Sequence, residues 1–195
     1  MSLPKKPSPE DVLDDLKWFL PELYRGFEHG LFKAKSHFET EDINKDGAAF
    51  SMLVRLHARE YLRKKGLEAV EIKKVNLCGL ALDLPGYKIK IWKAADDAIP
   101  IPGHSEPKQE FYQQSLFEQE GPLKLIIIWN LNSQSMLSAV WLICPKSGDE
   151  TSAEAHWNVK VPDPSLAVAP AETPAVTRDL PIERKPQADT GTKKV

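Results

Sequence analysis

The chain holds only two cysteines, Cys78 and Cys144, in 195 residues. That excludes a disulfide framework and a four-cysteine zinc site. Both cysteines stand in apolar stretches, where a free thiol acts as a small hydrophobe. No apolar run approaches the ~18 residues of a membrane span. The opening Met1-Ser2-Leu3-Pro4-Lys5-Lys6-Pro7 is followed by no apolar signal core, which implies a reduced, cytoplasmic setting and no membrane partner. Missing too are G-x-S-x-G, the P-loop and G-x-G-x-x-G. His29, His37, His57, His104 and His156 form no H-E-x-x-H or H-x-x-x-H pair. His57 lies on an apolar helix face and reads as a core histidine. His104-Ser105 has no orienting acid beside it. There is no internal repeat, and a formal charge of −2 names no partner.

What is present begins with Leu123 to Cys144, LKLIIIWNLNSQSMLSAVWLIC. Two runs of β-formers, Leu125 to Trp129 and Val140 to Ile143, flank the polar Asn130-Leu131-Asn132-Ser133-Gln134-Ser135. Asn and Ser bend a chain by bonding their own backbone, so the stretch reads as an antiparallel hairpin. Neither run alternates cleanly, so both faces should be covered and both strands central.

Helices precede this pair. Ser8-Pro9-Glu10-Asp11 is a helix start, with Ser8 as cap and Pro9 in the first position. Val12, Leu13, Leu16, Phe19 and Leu20 share a face, and Pro21 ends or kinks the helix. Leu23, Phe27 and Leu31 mark a second helix, which Gly26 and Gly30 weaken by roughly 1 kcal/mol each. A third runs from Ala48 to Lys65, with Phe50, Leu53, Val54, Ala58, Tyr61 and Leu62 apolar and Gly66 as a stop. From Glu68 the period becomes two. Strands at about 70–83 and 87–94 are joined by Leu84-Pro85-Gly86. A short helix is expected from Glu106 to Phe117, capped by Ser105, and a last strand from Ala155 to Val161. From Pro162 onward six prolines fall in 34 residues. The expected organisation is a flexible tail at 1–7, one α+β domain at 8–162 and a disordered Pro-rich tail at 163–195. The domain should have N-terminal helices, then a mostly antiparallel sheet of about five strands with a helical insertion.

Charge is segregated along the chain. Residues 8–46 carry ten acidic and five basic side chains, net −5. Residues 55–93 carry ten basic and four acidic ones, net +6. Residues 94–120 carry six acidic and one basic, net −5. Either the basic 55–93 region meets an anion or the acidic flanks fold onto it and cancel it. Arg55, Arg59 and Arg63 align at i, i+4 and i+8, a ridge that can track phosphates. In Tyr87-Lys88-Ile89-Lys90-Ile91-Trp92-Lys93, alternation puts Lys88, Lys90 and Trp92 on one face. Two amines and a ring can clamp a nucleic-acid strand, or the lysines can blunt a sheet edge.

Two resemblances are partial. Asp42-Ile43-Asn44-Lys45-Asp46-Gly47 resembles the opening of an EF-hand calcium loop, with oxygens from Asp42, Asn44 and Asp46. Leu53 stands where the bidentate glutamate belongs, and Phe50 at position nine. The expectation is therefore no metal, with Asp46 capping the next helix. The order of a helix with Glu60, a strand ending at Asp83 and a strand ending at Lys93 resembles in outline the PD-(D/E)XK nucleases. That resemblance implies Mg²⁺ held by carboxylates and a lysine that assists hydrolysis. Ile91 stands where that family places a carboxylate. The leading reading is a non-enzymatic binding or regulatory module without a cofactor, contacting nucleic acid or an acidic protein through 55–93. A metal-dependent nuclease and a protein-interaction adaptor are the alternatives.

Overall fold

The computed structural model describes residues 7–38, 46–74, 80–94, 98–114 and 121–165. The fold is α+β. Helices α1 (Pro9–Asp15), α2 (Leu20–Lys35) and α3 (Gly47–Lys65) come first. Strands β1 (Glu71–Lys74), β2 (Leu80–Leu84) and β3 (Tyr87–Lys93) follow. After them come α4 (Glu106–Tyr112), β4 (Leu123–Leu131), β5 (Leu137–Gly148) and β6 (Ala153–Lys160). The strands form one six-stranded sheet in sequence order. Every pair is antiparallel except β3 with β4, which is parallel. Of the expected tails, 1–7 and 163–195, residues 1–6 and 166–195 lie outside the described residues, while the Pro7 carbonyl accepts from Trp157 Nε1 and Asp163 accepts from the Tyr24 hydroxyl, both at 3.2 Å.

The N-terminus of α1 is a reciprocal cap. Ser8 Oγ accepts from Asp11 N–H at 3.2 Å, and Asp11 Oδ2 accepts from Ser8 N–H at 3.4 Å. The helix stops at Asp15, short of Pro21, and Pro21 falls in the first turn of α2, where a missing N–H costs nothing. Helix α3 ends on Gly66 in the left-handed region, φ 60°. The sheet has six strands rather than about five. The stretch read as one strand, 70–83, is the antiparallel pair β1 and β2. Asn76 and Gly79, both turn-formers, signal that break, and residues 75–79 lie outside the described ones.

The helices cover one face of the sheet. Leu80, Leu82, Leu84, Ile89, Ile91, Leu125, Ile127, Trp129, Val140 and Leu142 meet Val12, Leu16, Phe19, Leu23, Phe27, Phe50, Val54, Ala58 and Leu62 there. Phe27 stacks on Trp129 at 5.7 Å between ring centroids. Helices α2 and α3 cross closely. A Cβ on Gly30 would lie 2.4 Å from the Val54 carbonyl oxygen. Gly30 is therefore the contact point of the helix pair, not only a weakness in α2. Gly26 is different: its added Cβ would come no nearer than 3.4 Å to the Tyr61 side chain, 3.6 Å to the Ala58 oxygen and 3.7 Å to Leu62 Cγ.

The opposite face carries a smaller cluster. Ile126, Ile128 and Ile143 are buried against Phe111 and Tyr112 of α4, with Trp92, Ala94, Ile99 and Trp141 at its margin. Helix α4 belongs to the connection that carries the chain from β3 to the parallel strand β4, so the insertion is the cover of this second face. Its C-terminal neighbour Gln114 closes the end of the sheet. Two residues beyond the pair Ile126–Ile143, the register would set Lys124 opposite Pro145, and proline has no N–H to give. The Gln114 carboxamide takes that place. Its Nε2 donates to the carbonyls of Lys124 at 3.1 Å and Pro145 at 3.2 Å, and its Oε1 accepts from Lys124 N–H.

Three substitutions test this account by urea denaturation. Gly30→Ala should destabilise by about 2–3 kcal/mol through overpacking. Gly26→Ala should be neutral or stabilising by up to ~1 kcal/mol through helix propensity. Gln114→Ala leaves two strand carbonyls without donors and should cost about 1–3 kcal/mol. An unchanged midpoint for Gln114→Ala would show that the carboxamide does not hold the sheet end.

Candidate anion-binding site

The alternation of β3 separates the basic residues. Ile89 and Ile91 are buried on the helical face, and Lys88, Lys90 and Trp92 lie on the second face. Helix α3, with Arg55, Arg59 and Arg63, packs on the helical side. The sheet thus stands between the arginine ridge and the β3 lysines, and they do not form one surface.

Part of the basic charge is cancelled internally. Glu22 of α2 pairs with Lys65 at 3.2 Å and with Arg25, and it accepts from Tyr61 O–H at 3.0 Å. Burial opposes ionisation of Glu22, but these hydrogen bonds hold its carboxyl below the usual value. Lys73 lies between Glu71 at 2.7 Å and Asp83 at 3.4 Å. In the arginine ridge, Arg55 and Arg59 are half-buried and Arg63 is exposed.

The second face is different. Lys88 lies directly beside Lys124 in the parallel register. Lys90 Nζ sits 4.2 Å above the Phe111 ring and donates to the Pro107 carbonyl at 3.4 Å. Lys124 Nζ lies 6.0 Å from the same ring and donates to the carbonyls of Glu110 at 2.9 Å and Gln113 at 3.1 Å. Lys108 stands on α4. Burial first, then the charges of Lys108 and Lys124, push the Lys90 ammonium below its ordinary pKa. Among the described residues, none of these four lysines is in a salt bridge. Trp92 turns to Tyr112, with centroids 6.1 Å apart and planes at 29°.

Sequence reasoning picked out Lys88 and Lys90 but missed Lys108 and Lys124. Their membership depends on a parallel pairing and on how α4 docks, and neither leaves a periodicity in the sequence. The single clue was Lys124 alternating with Leu123 and Leu125, which sets it on the opposite face of its strand.

The residues suggested by the nuclease outline do not meet. Asp83 is on the second face, opposite Lys88 in register. Lys93 is on the helical face, where its Nζ would be 3.7 Å from a Cβ on Gly47 at the start of α3. It lies five residues beyond Lys88, roughly 16 Å along the strand. Burial and then Arg55 lower the Lys93 pKa. Glu60 faces His57, Oε2 to Nδ1 3.0 Å. Among the described residues no three His, Cys, Asp or Glu side chains are grouped to hold a metal such as Mg²⁺. In the EF-hand-like stretch, Asp42 and Asn44 lie outside the described residues, and Asp46 caps α3 by accepting from Ala49 N–H at 3.0 Å.

His57 is half-buried and stacks on His37 at 6.2 Å rather than sitting alone in the core. His104 faces Glu150 at 3.0 Å on the surface. Cys144 is fully buried, and burial pushes its thiol up to about 12, which removes it as a nucleophile at neutral pH. Cys78 lies outside the described residues. Among the described residues no helix is long and apolar enough to cross a membrane. No protein-family model, curated protein or solved structure matches the chain.

Proposed function

We propose that the chain is a non-enzymatic binding module that meets an anionic partner on the second face of its sheet. The observation that carries this reading is the convergence of Lys88 and Lys90 from β3, Lys108 from α4 and Lys124 from β4. Like charges gathered around a half-buried amine are unfavourable in the free protein, and a bound anion reverses the sign of that interaction. The 55–93 region contributes Lys88 and Lys90, and the arginine ridge of α3 belongs to a separate surface. A reduced, cytoplasmic setting suits the free and buried Cys144.

The chemistry of the site favours a phosphate-bearing polymer held by charge. Lysine ammonium groups are point charges without the forked geometry of arginine. Trp92 has Tyr112 stacked against it, so it is not a free platform for a base. Recognition of this kind is tolerant of sequence and sensitive to salt. An acidic protein surface is the competing class of partner.

The test uses labelled single-stranded DNA and RNA at low and high salt. Lys88, Lys90, Lys108 and Lys124 changed together to Gln should weaken binding by at least about tenfold and flatten the log–log salt slope by up to ~3, at ~0.7 per phosphate contact. Arg55, Arg59 and Arg63 changed together to Gln should leave that slope in place. Equal binding by the lysine variant and the native chain would sink this reading. Mg²⁺-dependent cleavage that disappears in Asp83→Asn would support the nuclease alternative instead.

A further inference from the structure

The four lysines stand on two bodies that meet at a joint. Lys88, Lys90 and Lys124 are fixed to the sheet, and Lys108 is fixed to α4, which covers the sheet's second face. The joint is held by the buried rings of Phe111 and Tyr112, by the Tyr112 hydroxyl donating to the Pro100 carbonyl, and by the bonds from Lys90 and Lys124 to α4 carbonyls. Across the same joint Lys90 Nζ donates to the carbonyl of Pro107, the residue before Lys108, and the nearby Lys108 charge disfavours the Lys90 ammonium. Attraction and repulsion therefore act on one short helix.

The donors are not used up. An ammonium group has three N–H donors. Lys90 gives one to Pro107, which leaves two, and Lys124 gives two to Glu110 and Gln113, which leaves one. Lys88 and Lys108 keep theirs for solvent or ligand among the described residues. A multivalent oxyanion has enough acceptors to satisfy amines from both bodies at once.

We infer that a phosphate-type anion bound among Lys90, Lys108 and Lys124 bridges α4 to the sheet, so that anion binding and closure of α4 are coupled. This rests on the anion-binding reading above and adds its regulation. The charge term between α4 and the sheet changes from repulsive to attractive when the anion arrives. By linkage, any change that holds α4 closed raises anion affinity by the same factor. The ligand class is a compact polyanion with several phosphate oxygens, such as a polyphosphate or the backbone of a nucleic acid.

The test is hydrogen exchange of the full chain, read on peptides spanning 106–114, with and without inorganic tripolyphosphate, alongside calorimetric measurement of its binding. Saturating tripolyphosphate should slow exchange in 106–114 by about five- to tenfold, a typical size for coupling between sites, and leave α3 unchanged. Lys108→Gln, an exposed position, should exchange more slowly than the native chain without anion, because the repulsion is gone. It should gain little further protection when tripolyphosphate is added. Binding with no change in 106–114 would overturn the coupling and leave the anion site standing. No binding at all would overturn both. Full protection retained in Lys108→Gln would show that Lys108 is not the bridging group. Protection by polyglutamate but not by tripolyphosphate would overturn the phosphate assignment.

Discussion

Strand β4 has apolar side chains on both of its faces, and the architecture follows from the need to cover each. Leu125, Ile127 and Trp129 go to the helical face, and Ile126 and Ile128 go to the other. Leaving a fully buried aliphatic side chain exposed would cost about 1.5–3 kcal/mol. Two isoleucines on β4 and Ile143 beside them make the second face too costly to leave open. The helices α1 to α3 are already committed to the first face. Among the described residues, the cover comes from the segment between β3 and β4, and a long connection there is what lets that pair run parallel.

That cover is slight. Helix α4 has seven residues, too few to be stable alone. It is held by two aromatic anchors, by Lys124 under its C-terminal carbonyls, where positive charge is favourable, and by Lys90 on the Pro107 carbonyl of its first turn. The same lysines give the site its electrostatics. Both ammonium groups lie near the Phe111 ring, 4.2 and 6.0 Å from its centroid, and each bonds a backbone carbonyl of the covering segment. A structural need, capping a short helix on an apolar face, thus gathers cations that a random surface would keep apart.

How much of this could be read from the sequence depends on which interactions are local. The capping box at Ser8, the cap at Asp46, the stop at Gly66 and the β4–β5 hairpin rest on residues within a few positions of each other, and each was legible. Asn132 Oδ1 accepts from Gln134 N–H and Met136 N–H, both at 3.0 Å, which is the bend that the Asn-Ser composition signalled. The face assignment of Lys88, Lys90 and Trp92 was legible as well, because a strand has period two whatever its neighbours. The division of 70–83 into two strands was missed because apolar content outweighed Asn76 and Gly79. Pairings between distant segments were beyond reach: Gly30 against Val54, Gln114 in the gap beside Pro145, and Lys90 on the Pro107 carbonyl.

The charge layout shows why the candidate site was only half visible. A net +6 over residues 55–93 suggested one basic surface, but a helix and a sheet that pack together must put some of their charges on opposite sides. Arg55, Arg59 and Arg63 stay with α3, while Lys88 and Lys90 turn away from it. The acidic stretch before α3 answers part of the helical charge through Glu22 and Lys65. Among the described residues, the acidic stretch after β3 does not answer the lysines in the same way. It supplies α4, and α4 meets them with its backbone carbonyls and with Lys108 rather than with a described carboxylate. Net charge by segment is therefore no guide to the surroundings of Lys90. What decides is which atoms face it, and among the described residues of the covering segment those are the Pro107 carbonyl, the Phe111 ring and the charge of Lys108.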